Sequence, residues 1–129
     1  MKKRFVIKGK LDGLNDYTKA CRSNRMAGAQ MKTKNERIIT AYIWQQLRGV
    51  KFKGRVALLF HWYEPNRKRD MDNIAFAKKF ILDALVENSV IQSDGWRGVA
   101  GFSDLFEIDK DNPRIEVEII EAEEEVENV

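Results

Sequence analysis

Two aspartates, Asp70 and Asp72, stand two residues apart directly after three cations, Arg67, Lys68 and Arg69. Hard oxygen donors at such spacing suit Mg2+, which takes one or a few carboxylates and completes its shell with water and phosphate oxygens. Either aspartate alone also reads as an N-cap, because the segment after them has helical periodicity and a helix start favours an acceptor and a negative charge. Capping explains one carboxylate, not a pair beside cations. On a continuous helix Lys79 lies seven residues past Asp72, nearly two whole turns, and shares its face. Lys79 is equally placed for a surface pair with Asp83 at i,i+4. Lys78 lies about 100° round the helix. Asp94, within Gln92-Ser93-Asp94-Gly95-Trp96, follows the helix, and the returning chain can bring it beside Asp70 and Asp72. An Asp before Gly is also an ordinary turn residue.

Such residues need elements to hold them. Arg4–Lys8 alternates as a short strand, and 9–15 is a turn-rich connector. Residues 16–25 can be helical but have little apolar periodicity, and 22–28 reads as a polar, basic loop. A helix is predicted over 34–47, with Ile38, Ala41 and Tyr42 at 3–4 spacing and Ile39, Ile43 and Leu47 widening the stripe. Residues 55–63 are apolar on both faces, which predicts a central strand covered on both sides. A basic loop follows, then a helix over about 73–87 with Ile74, Ala77, Ile81, Ala84 and Leu85 inward, stopped at Asn88. Val90-Ile91 reads as a short strand and 93–101 as a glycine-rich loop. Residues 105–109 and 114–120 read as strands joined by a turn at Asp111-Asn112-Pro113. Interleaved strands and helices make the class α/β or α+β, a mixed sheet with helices packed on it. One domain over 1–121 and an acidic tail over 122–129 are expected.

Charge is divided along the chain. Residues 1–69 carry eighteen Lys/Arg and four Asp/Glu, a net of +14, whereas residues 70–129 carry five and sixteen, a net of −11. Such asymmetry fits a polyanion partner, and equally two halves that neutralise each other. The basic residues that could face phosphates include Arg22, Arg25, Lys32, Lys34, Arg67, Lys68 and Arg69. No apolar run approaches the ~18 residues of a membrane span, so a soluble, cytoplasmic chain is expected. With one cysteine, Cys21, there is no intrachain disulfide and no cysteine metal cage. His61, the only histidine, faces sideways from a strand and reads as structural. No phosphate-binding G-x-x-x-x-G-K-[ST] loop occurs.

The order Asp70-Met71-Asp72-Asn73, Lys79, Asp83-Ala84-Leu85 and Asp94 resembles the RusA family of Holliday junction resolvases of bacteria and their prophages. Leu14-Asn15-Asp16-Tyr17 and Cys21-Arg22-Ser23-Asn24 resemble the N-terminal block of phage-type members. The resemblance implies a RusA-like fold and three metal-site aspartates, falling on Asp70, Asp72 and Asp94. It also implies a functional lysine, falling on Lys79. The usual lysine follows the second aspartate by four residues; here Phe76 holds that place. Implied too are Mg2+, with Mn2+ as the possible substitute, branched DNA as substrate, and a homodimer. The expectation is a structure-selective endonuclease acting in recombination and repair. The alternative is a non-catalytic basic DNA-binding module.

Overall fold

Alternating apolar residues build one buried sheet face. The structure, a computed structural model, describes residues 1–122. Its strands are β1 (Lys2–Lys8), β2 (Val56–Glu64), β3 (Val99–Ile108) and β4 (Arg114–Glu121). They lie in the order β1-β4-β2-β3, with β4 antiparallel to both neighbours and β3 parallel to β2 at the edge. Phe5 of β1, Val117 of β4 and Phe60 of β2 form one cross-strand row, and Ile7, Ile115 and Trp62 the next. All six are buried. Pairing at this register turns every second residue of three strands into the core.

The helices are α1 (Leu14–Ser23), α2 (Arg25–Gln46), α3 (Met71–Ala75) and α4 (Lys78–Glu87). Ile39, Ile43 and Leu47 join Phe80, Ile81, Ala84 and Leu85 and the inward strand residues in one core. No helix among the described residues is long and apolar enough to cross a membrane. The class is α+β. The second face of β2 is not covered as expected: Ala57, Leu59, His61 and Tyr63 are only half-buried. That face is packed by its own side chains, with His61 stacked 4.1 Å from Tyr63 and Arg114 3.7 Å over the Tyr63 ring.

Other local expectations are corrected. The loop expected over 22–28 is a helix junction, where the Asn24 side chain accepts from Met26 and Ala27 N–H and starts α2 nine residues before Lys34. Gly28 permits α1 to lie close, since a Cβ there would meet Cys21 Sγ at 2.6 Å. On α2 the inward face is Asn35, Ile39, Ile43 and Leu47, while Ile38 and Ala41 are exposed. Val90 and Ile91 are buried but form no strand, because the chain turns at Ser89 with φ +60°. β3 begins six residues before Leu105. Ala122 N–H donates to the Arg55 carbonyl; the rest of the expected tail, 123–129, lies outside the described residues.

The helix expected over 73–87 is broken at Phe76-Ala77. Through the break, Ala77, Lys79 and Phe80 donate N–H bonds to residues three back, Ile74, Phe76 and Ala77. Three residues wound this tightly add about 60° relative to an α-helix. Asp72 and Lys79 therefore do not share the single helical register expected of them.

Candidate active site

The loop between β2 and α3 is anchored from below. Arg69 forks onto the buried Glu64 at the end of β2, with Nε 2.9 Å from Oε1 and Nη2 2.8 Å from Oε2. Its Nη1 donates to the Leu11 carbonyl at 3.0 Å. The buried Asn73 accepts at Oδ1 from the Asn15 N–H at 2.9 Å. Gly13 is required at this crossing, because a Cβ there would lie 2.5 Å from Asn73 Oδ1. On the far side of the connector, Asn35 exchanges bonds with Asp12 and Lys34 pairs with Asp12 at 2.9 Å. The residues flanking the two aspartates thus clamp α3 to the N-terminal connector.

Between these clamps stand Asp70 and Asp72, both exposed. Asp70 occupies the N-cap position of α3 but makes no side-chain cap bond. Asp72 Oδ1 accepts from the Asn73 N–H at 2.9 Å. Asp70 lines a groove of about 620 Å³ with Glu64, Arg67, Met71, Phe106 and Ile108.

A second cluster forms at the start of α4. Lys79 Nζ lies 3.0 Å from Asp83 Oδ1 and 3.1 Å from Asp94 Oδ2. Bonds to Asp83 and then Asp94 raise the Lys79 pKa. Asp94 is held below the ordinary carboxylate range by Lys79 first and by its contact with Asp83 next. Asp83 Oδ2 is buried without a hydrogen bond, 3.4 Å from Lys32 Nζ in an ion pair too poorly aligned for one. Both readings of Lys79 are therefore present: it pairs with Asp83 and it also holds Asp94. Its neighbour Lys78 turns to the edge strand, forms a short pair with Asp104 at 2.6 Å and lies 3.9 Å over the Phe102 ring. Phe76 packs with Tyr17 and Phe80 and sits at the helix break.

The structure brings Asp70 next to Asp72 and brings Asp94 to Lys79, but it does not gather the three aspartates into one group. Among the described residues no three His, Cys, Asp or Glu stand where they could together hold a metal ion. Exposed carboxylates nevertheless have the donor chemistry of a hard cation site. Of the basic residues expected at DNA, Arg69 is corrected: its donors face Glu64 and Leu11, and it positions the loop. Lys32 and Lys34 lie on Asp83 and Asp12. Arg22, Arg25, Arg67 and Lys68 are exposed and make no ion pair among the described residues. His61 lies 3.3 Å from Glu107, on the sheet face away from the helices. Glu64 and Gly13 escaped the sequence reading, and Asn73 stood in the Asp70-Met71-Asp72-Asn73 run without a role of its own. The only signal was a lone acid at a strand end and an Asn after the aspartates.

The sequence profile of one family, described as endodeoxyribonuclease RusA, matches residues 2–120. No curated protein matches the chain.

Proposed function

The chain belongs to the RusA family, endodeoxyribonucleases that resolve Holliday junctions, and on that premise we propose how it cuts. The reaction is Mg2+-dependent hydrolysis of phosphodiester bonds at a four-way junction, serving recombination and repair, in a homodimer of a nuclease domain spanning 1–121. Asp70 and Asp72 would hold the cation, with water and phosphate oxygens completing its shell and Mn2+ as a substitute; Asp94, the third expected ligand, stands on Lys79 in this structure. A divalent ion there supplies Lewis-acid charge and lowers the pKa of a bound water. Lys79 keeps Asp94 ionised and stays protonated itself, so its ammonium is available for charge that develops on the phosphate. Arg22, Arg25, Arg67 and Lys68 neutralise backbone phosphates on either side. Lys32 and Lys34 contribute to the same field although each also neutralises a carboxylate.

The observation that carries this proposal is the idle side chain of Asp70. A capping aspartate would bond the first turn of α3, and this one does not. No cap bond occupies the carboxylate, so its place beside Asp72 and the groove leaves it available for another role. Asp70→Asn tests this. Asn caps a helix as well as Asp does, so thermal stability stays unchanged. Junction cleavage should fall by ~10²-fold or more, as for loss of a major electrostatic contribution, and chelator should abolish wild-type cleavage. Near-normal turnover by Asp70→Asn and Asp72→Asn would refute the assignment.

A further inference from the structure

The chain has three tryptophans, and the fold makes use of two. Trp62 is buried in β2, and its Nε1 donates to Asp104 at 2.8 Å. Trp44 is exposed on α2, but its Nε1 donates to Asn88 at 2.9 Å and joins that helix to the end of α4. Trp96 is 88% exposed, more than any other large apolar residue among those described. Among the described residues its ring stacks on no other ring and its Nε1 has no acceptor. The loop that carries it is nonetheless firmly built. Gly98 and Val99 N–H both donate to the Gly95 carbonyl, at 3.0 and 2.9 Å, and the Gly98 carbonyl accepts from Val56 N–H at 2.9 Å. Gly98 lies so close to Ser93 that a Cβ would collide with the Ser93 backbone. On the incoming side Ile91 is buried, and the Gln92 side chain donates to the Phe52 carbonyl at 3.1 Å. The turn is closed at its base and holds the indole out in water.

The place of the indole matters as much as its exposure. Trp96 follows Asp94 by two residues, so their Cα atoms stand within about 7 Å of each other, and Asp94 holds Lys79 Nζ at 3.1 Å. Arg97, next along the chain, is exposed and makes no ion pair among the described residues. A bare aromatic face beside a free guanidinium is the combination that binds an unstacked base together with its backbone. Inside a duplex each base is covered above and below by its neighbours and offers no face to an indole. A branch point is different, because strands part there and bases at the exchange lose a stacking partner. We infer that Trp96 reads the branch: its indole stacks on a base exposed where the strands part, and Arg97 holds the adjoining phosphate. This rests on the junction-cleavage proposal for the identity of the DNA, and adds the residue by which branched DNA is told from linear. Trp96 determines specificity and takes no part in breaking the bond. Every base has a π face, so the stacking selects for an open base and not for a sequence.

Equilibrium binding of the full chain without divalent cation, so that no strand is cut, tests this on a synthetic four-way junction and a linear duplex of equal length. Trp96→Ala should weaken junction binding by about five-fold or more, the equivalent of one lost base stack. Duplex affinity, carried by phosphate contacts, should stay within about two-fold. Trp96→Phe keeps an aromatic face and should retain most of the selectivity, whereas Trp96→Leu, apolar without a π face, should behave as Trp96→Ala. The salt slope should not change in Trp96→Ala, while Arg97→Ala should shallow it by about 0.9. The melting temperature of each Trp96 variant should match wild type, because an indole this exposed leaves the fold little to lose. Unchanged junction affinity in Trp96→Ala would overturn the inference, and so would equal losses on junction and duplex. A Trp96→Leu protein as selective as wild type would overturn it too. So would a lower mass of the free Trp96→Ala protein by light scattering, which would assign the indole to contact between copies of the chain. A wild type that binds junction and duplex alike would remove the junction reading and the inference together. Selective binding that depends on Trp96, in a protein that cuts no junction once Mg2+ is added, would leave the inference standing and sink the cleavage proposal alone.

Discussion

Removing Glu64 should both destabilise the fold and slow cleavage, although Glu64 is remote from any role in bond breaking. Its side chain is 8% exposed and that of Arg69 18%, and two bonds of 2.8 and 2.9 Å join them. In Glu64→Ala the guanidinium keeps only the Leu11 carbonyl. Breaking a buried pair costs ~3–5 kcal/mol, and the partial exposure of Arg69 places this one near ~3 kcal/mol. Unfolding entropy of ~2.1 cal/mol/K per residue over this chain amounts to ~0.27 kcal/mol/K, so the melting temperature should fall by about 11 °C. Urea unfolding followed by tryptophan fluorescence measures the loss directly. Replacing both partners, Glu64→Met with Arg69→Met, leaves no unpaired charge and should recover all but ~1 kcal/mol. Cleavage should not recover, because the bond from Arg69 to Leu11 and the anchoring of the Asp70 loop remain lost. A single-variant loss below ~1 kcal/mol, or a double variant no more stable than the single one, would refute the clamp.

Two further expectations separate the neighbouring cations. Lys78→Ala leaves Asp104 only its bond from Trp62 Nε1 and should cost up to ~3 kcal/mol in urea unfolding, whereas Lys79→Ala, an exposed pair, should cost no more than ~0.5 kcal/mol. Turnover should divide the other way: kcat and kcat/KM fall together in Lys79→Ala at unchanged junction affinity, and equal small effects in both variants would remove Lys79 from the mechanism. Junction affinity should fall linearly in log salt with a slope near −0.9 per phosphate contacted. Arg67→Ala with Lys68→Ala should then shallow that slope by about 1.8, and an unchanged slope would place neither residue at DNA.

What was legible in the sequence was local. β1, β2 and β4 each carry their own alternation, and α4 its own apolar stripe. Asp70, Asp72, Lys79 and Asp94 stood out through order and spacing. The start of α2 was hidden, since 25–33 has no apolar face toward the sheet and depends on the Asn24 cap and the close approach at Gly28. On the same helix two apolar rows compete, one through Ile38 and one through Ile39, and periodicity does not say which a sheet will cover. The break at Phe76-Ala77 leaves the inward residues inward, so the pattern runs through it unchanged. Yet the break decides which way Lys78 and Lys79 point, one to Asp104 and the other to Asp94. Glu64, Arg69, Leu11, Asn73 and Asn15 meet across up to 58 positions of sequence. A hydrogen bond at that separation leaves no periodic trace, because its partners are chosen by the packing of whole elements and not by their neighbours along the chain.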